Sequence, residues 1–160
     1  MLIYHGSTVI VEYSMILRNQ QTLDYGQGFY TTSNKEQAIR WAQKVKHRRD
    51  AEKCFLSVYE FVRRSAERDL IILDFESADK DWLNFVCSCR TGKPNHMDYD
   101  MVRGAVADDT VYAAIQLFEM GLLDEEETLK RLKIQKLYDQ ILFHTNRSLD
   151  YCHFVRAIEL

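Results

Sequence analysis

The apolar positions of this chain change period several times, and each change marks an element. Leu2-Ile3-Tyr4 is a short β run that delivers His5 at its end. Residues 8–28 keep no sustained period and read as mostly irregular, with a short helix or turn around Tyr13 to Asn19. Ala38, Trp41, Ala42 and Val45 then recur at i, i+3, i+4 and i+7, the stripe of one buried helical face, which assigns Trp41 to the core. Ser33-x-x-Glu36 is a capping-box pattern, so this helix is expected to open at Ser33.

Further along, Cys54 to Val62 alternates as a strand and Leu70 to Phe75 is a second β run. Trp82, Phe85, Val86 and Cys89 return to helical spacing, a second helix over roughly 79–90. Pro94, the only proline, lies with Gly92 and Asn95 in a loop. Tyr99 to Val102 suggests a strand ending near Gly104. Val111, Ala114, Ile115 and Phe118 mark a third helix, which Gly121 would end as a left-handed cap. Asp124-x-x-Glu127 opens a fourth, carrying Leu129 and Leu132. Ile141-Leu142-Phe143 and Phe154 to Ile158 complete the strands, with a helical turn between them. Strands and helices mix without strict alternation, which predicts an α+β domain and not a doubly wound sheet.

A length of 160 residues fits one domain, 1–160, burying roughly 70% of its unfolded surface. The net charge of −3 gives no reason to expect general nucleic-acid binding. Charge is uneven, however: Lys35 to Arg68 holds ten Lys/Arg against five Asp/Glu, whereas Asp124 to Glu127 is acidic. Solvated helix faces account for both runs, and Arg48 and Arg49 also offer a place for a phosphate-bearing ligand or an acidic partner. The N-terminus has no secretion-signal pattern and no apolar run approaches the ~18–20 residues of a membrane helix, so a cytoplasmic chain is expected. Cys54, Cys87, Cys89 and Cys152 then read as free thiols. They lack metal-type spacing, as do His144 and His153, and no metal is expected.

No G-x-S-x-G elbow, Walker loop or H-E-x-x-H is present. Gly26-x-Gly28 lacks the third glycine of a dinucleotide fingerprint. Two segments carry the candidate chemistry: Tyr4-His5-Gly6-Ser7, and Asp24-Tyr25-Gly26-Gln27-Gly28-Phe29-Tyr30. Each sets an aromatic or imidazole group beside glycines, where a ligand can approach the backbone. Taken singly, His5 reads as a satisfied imidazole at a strand end, Tyr30 as a core aromatic and the glycines as turn residues. Their combination favours a ligand site.

Read with Asp139-Gln140-Ile141-Leu142-Phe143, these segments resemble the ADP-ribosyltransferase superfamily, on the branch of poly-ADP-ribose polymerases and diphtheria-type toxins. There a strand ends in His-Gly-Ser/Thr, a later segment reads Gly-x-Gly-aromatic-Tyr, and a third residue, usually Glu, opens a late strand. Trp82 to Val86, Tyr99 to Gly104 and Tyr138 to Gln140 extend the likeness to a small bacterial family of that fold. The resemblance implies a split antiparallel sheet with flanking helices, NAD as co-substrate, and transfer of ADP-ribose to a macromolecular acceptor with release of nicotinamide. A bacterial toxin or defence effector with a neutralising inhibitor or antitoxin would fit that class.

By resemblance, His5 would bond a ribose hydroxyl and the Gly6 backbone would meet the nicotinamide carboxamide. Tyr30 would stack on the nicotinamide ring, with Tyr25 as a second aromatic wall. Ser7, Gly28 and Phe29 complete the implied binding set. Gln140 stands where the family's Glu belongs; it can orient a hydroxyl but has no charge and cannot be a base. A single transfer, an inactive NAD or ADP-ribose reader, and a 2′-phosphotransferase-like enzyme acting on RNA therefore all stay open. Asp100, Asp108 and Asp109 are candidate acceptor-activating carboxylates, against helix capping for the last two and a solvated strand position for the first. Asn84 and Arg90 fall on the second helix, at the side of a potential groove.

Overall fold

A computed structural model describes residues 1–16, 23–92, 98–106, 109–133 and 138–160, the side chains of 109 and 110 excepted. In chain order the elements are β1 (Leu2–Ser7), β2 (Phe29–Thr31), α1 (Lys35–Arg49), β3 (Phe55–Phe61), α2 (Arg63–Asp69), β4 (Ile72–Asp74) and α3 (Lys80–Arg90). They continue with β5 (Met101–Ala105), α4 (Asp109–Glu119), α5 (Glu125–Lys133), β6 (Asp139–Phe143), α6 (Asn146–Leu149) and β7 (Cys152–Glu159). The architecture is α+β. One sheet runs β1-β3-β7, all antiparallel; the other runs β2-β6-β5-β4, antiparallel except for the parallel β4–β5 pair.

Among the described residues one isolated bridge links the sheets. The Tyr4 N–H donates to the Thr32 carbonyl at 2.8 Å, and the Thr32 N–H returns to Tyr4 at 3.0 Å. Alternation along the strands then divides the apolar side chains into three sets, the smallest being Ala38, Leu56 and Val58 between α1 and the first sheet. Ile3, Phe29, Tyr59, Phe61, Ile141 and Phe143 fill one cluster, closed by Ala66 and Leu70 at α2. On the opposite face of the second sheet, Val102 and Leu142 pack against Trp82, Leu83 and Val86 of α3, Ile115 of α4 and Leu132 of α5.

The α1 contact is the tightest. A Cβ built on Gly6 would lie 2.1 Å from the Ala38 carbonyl oxygen and 2.9 Å from the Ala42 amide nitrogen. Only small side chains fit such an approach, which is why Ala38 and Ala42 carry the buried face. Trp41, about 100° round the helix from Ala42, is left 49% exposed, with the Arg48 guanidinium 5.4 Å from its ring centre. The periodicity had placed it in the core; the closeness of β1 excludes an indole there. The helix also opens one residue later than the capping box implies. Asp139 takes the Ser33 N–H at 3.1 Å, so Asn34 becomes the N-cap and accepts from the Gln37 N–H at 2.9 Å.

Asp79 and Asp124 cap α3 and α5 through the Trp82 and Glu127 amides, and Gly121 follows α4 with φ 71°. Two elements had no clear signal in the pattern: the three-residue β2, and α2, a polar helix with an Arg63–Glu67 ion pair at 2.7 Å. Tyr13 lies in a bend and 14–16 form no helix, while 17–22, Pro94 and Asp108 lie outside the described residues. All four cysteines are free; burial pushes the Cys87 thiol up to about 11 and that of Cys152 up to about 12. Among the described residues no helix is long and apolar enough to cross a membrane, and no group of three or more His, Cys, Asp or Glu is placed to hold a metal ion.

Gly6→Ala sets a methyl group against a helix backbone that cannot yield without leaving β1. It is expected to destabilise the fold by about 3 kcal/mol, read as a lower urea midpoint at unchanged m-value.

Candidate functional site

The bridge at Tyr4 and Thr32 sets β1 beside β2, and the candidate groups gather around that junction. His5 lies inside β1, not at its end, on the same face as Ile3. Its ring is 4.9 Å from Phe29, and its Nδ1 lies 2.8 Å from the Tyr30 carbonyl oxygen. A carbonyl can only accept, so Nδ1 carries the hydrogen of the neutral ring and Nε2 holds the acceptor lone pair. Burial disfavours the imidazolium and holds His5 below its usual 6.5.

Tyr30 points to the other face, toward α3. Its phenol donates to the Gly26 carbonyl at 2.5 Å and accepts from the Tyr25 N–H at 3.2 Å, closing residues 25–30 into a clamped loop. Burial raises its pKa. Within that loop Gly28 has φ 156°, and a Cβ there would meet Leu142 at 2.3 Å. Its missing side chain serves the β2–β6 contact.

Gln140 lies in β6 opposite Gly104, two residues before Leu142, which pairs with Tyr30. The register therefore puts Tyr30 and Gln140 on one sheet face. Gln140 Oε1 is buried without a hydrogen-bond partner. The residue lines a cleft of about 640 Å³, whose walls include Ser33, Asp79, Arg103, Gly104 and Tyr138. Arg103 bridges Glu67, at 2.8 Å, and Asp74. His5 and Tyr30 do not line this cleft. The structure thus brings His5 to the Tyr30 backbone and Gln140 to the Tyr30 face, without gathering the three side chains around one cavity.

Several expected roles change. Tyr25 is fully buried: its hydroxyl donates to the Ala105 carbonyl at 2.6 Å and accepts from the Trp82 indole at 2.9 Å, so it is a core post and not an aromatic wall. Phe29 is likewise core, T-stacked on Tyr59. Ser7 Oγ turns to the Val9 amide at 3.4 Å. Asp139 fixes the entrance to α1 through Thr32 Oγ1 at 2.9 Å and the Ser33 amide. Asp100 is buried and accepts from the Ile71 amide at 3.0 Å and Thr145 Oγ1 at 2.7 Å; it is a structural joint, not a solvated carboxylate. Asp109 is the first residue of α4. Asn84 is exposed, and Arg90 lies under cover with its guanidinium 4.0 Å from the Tyr112 ring centre, near Asp24 and Glu119. The Arg103 network has no signal in the sequence, because α2, a helix without an apolar stripe, supplies Glu67, one of its two carboxylates.

The family profile described as "Protein of unknown function (DUF3990)" matches residues 1–154, and the chain belongs to that family. Neither the curated proteins nor the solved structures contain a significant match.

Because His5 is held neutral in the fold, the unfolded chain alone takes up its proton as pH falls below 6.5. Stability from this group is complete above 6.5 and declines as pH drops toward the folded pKa, by at most about 1.4 kcal/mol per pH unit. Urea midpoints at pH 7.5 and 5.5 should differ less in His5→Gln than in the wild type.

Proposed function

We propose that this protein is an ADP-ribosyltransferase-fold enzyme that uses NAD to modify a macromolecular acceptor once, with loss of nicotinamide. The observation carrying this reading is Gln140 Oε1, a buried acceptor without a donor beside a cleft of about 640 Å³. Such an atom costs about 1–3 kcal/mol while unpaired, a deficit that a ligand hydroxyl would remove. Support also comes from connectivity: His5-Gly6-Ser7 and Phe29-Tyr30 fall on β1 and β2, the strands bridged at Tyr4 and Thr32, and Gln140 falls on β6, which pairs with β2.

NAD supplies an ADP-ribosyl group already carrying a good leaving group. Gln140 would orient a ribose hydroxyl in the cleft; His5 lies outside the cleft with Nδ1 committed to the Tyr30 carbonyl, and would reach a second hydroxyl only through Nε2. Tyr30 lies outside the cleft, packed against the α3 cluster with its phenol committed to the Gly26 loop, so its part would be to hold that loop in place. A neutral amide cannot take the acceptor's proton, so the acceptor must arrive nucleophilic and chain elongation is disfavoured. The same neutrality favours a second reading, a domain that binds NAD or ADP-ribose without turnover.

Nicotinamide release from NAD, with a cell lysate as acceptor source, separates the two. The enzyme reading expects release that His5→Ala and Gln140→Leu each reduce by about 10²-fold, while Gln140→Glu retains or raises it. Calorimetric NAD binding without release would establish the reader, and absence of both would sink the fold-based assignment.

A further inference from the structure

Helix α1 is strongly basic in an acidic protein. Its fifteen residues contain six Lys/Arg and one acid, Glu36, against a net charge of −3 for the whole chain. Helical spacing sorts these charges. Arg40, Lys44 and Arg48 follow at i, i+4 and i+8 on the side turned away from Ala38 and Ala42, and all three are exposed. Trp41 shares that side at 49% exposure, with no role in the core and Arg48 against its ring at 5.4 Å. At the N-terminal end of the row the Arg40 guanidinium sits 5.0 Å from the Tyr138 ring centre, and Tyr138 is a wall of the cleft that holds Gln140.

We infer that the exposed face of α1 binds single-stranded nucleic acid, with Trp41 stacking on a base and Arg40, Lys44 and Arg48 tracking the phosphates. The composition separates this occupant from an acidic protein. A protein partner anchors through an apolar centre depleted of charge; here one indole stands within a row of cations, the pairing that reads the π-face of an unstacked base and its backbone together. A duplex keeps its bases stacked and leaves the indole nothing to cover. The row from Arg40 to Arg48 spans about 12 Å, room for a few nucleotides, and it leads to the lip of the cleft. The inference does not depend on NAD chemistry.

The test is fluorescence anisotropy of the full chain against a labelled ten-nucleotide oligo(U), with tryptophan emission recorded alongside. Three phosphate contacts predict a log K against log salt slope of about −2, so affinity should fall about sixteenfold between 50 and 200 mM NaCl. Emission should be quenched in the wild type and not in Trp41→Ala, which should also bind at least about fivefold more weakly. Lys44→Glu with Arg48→Glu should abolish binding while the far-UV circular dichroism spectrum stays that of the folded chain. Unaltered binding by the charge-reversed protein, preference for duplex, or binding confined to heparin and acidic peptides without quenching would overturn the assignment.

Discussion

The structure turns on the pair Tyr4 and Thr32, where the two sheets touch through main-chain hydrogen bonds. Among the described residues strands β1 and β2 pair at this bridge alone, and the Tyr30 carbonyl accepts from the His5 side chain and not from a β1 amide. A buried carbonyl without a donor is costly, and the His5 imidazole fills the vacancy. Phe29, which the His5 ring touches, packs with Tyr59 and Phe143 in one core cluster. His5 is thus part of how the two sheets are joined.

The glycines carry a related lesson. Gly6 and Gly28 read as places for a ligand to approach, and both are places where protein approaches instead, α1 at the first and Leu142 at the second. The requirement for no side chain was legible in the sequence; what occupies the space was not, because that depends on partners more than thirty residues away. Tyr25 shows the same limit from the other side. Nothing nearby marks its hydroxyl as the partner of Trp82 and Ala105.

Where local pattern and tertiary packing agreed, the elements could be read directly: the stripe of α3, the Asp124 cap of α5, the left-handed Gly121. The pattern failed where long-range contacts intervened. Asp139 takes the Ser33 amide and moves the start of α1 to Asn34, and the closeness of β1 turns Trp41 outward. The short β2 exists only because β6 is there to pair with it, and α2 has a single buried side chain, Ala66, to announce it. Connections across the fold, and not propensity, decide each of these.

The four thiols have a consequence of their own. Cys54, Cys89 and Cys152 are buried, and burial holds the Cys87 and Cys152 thiols protonated at neutral pH. Oxidants and alkylating reagents act on the ionised form, so the folded chain should be chemically quiet toward them and become reactive only as it opens. Thiol labelling in the native state thereby becomes a clock for opening of the fold itself.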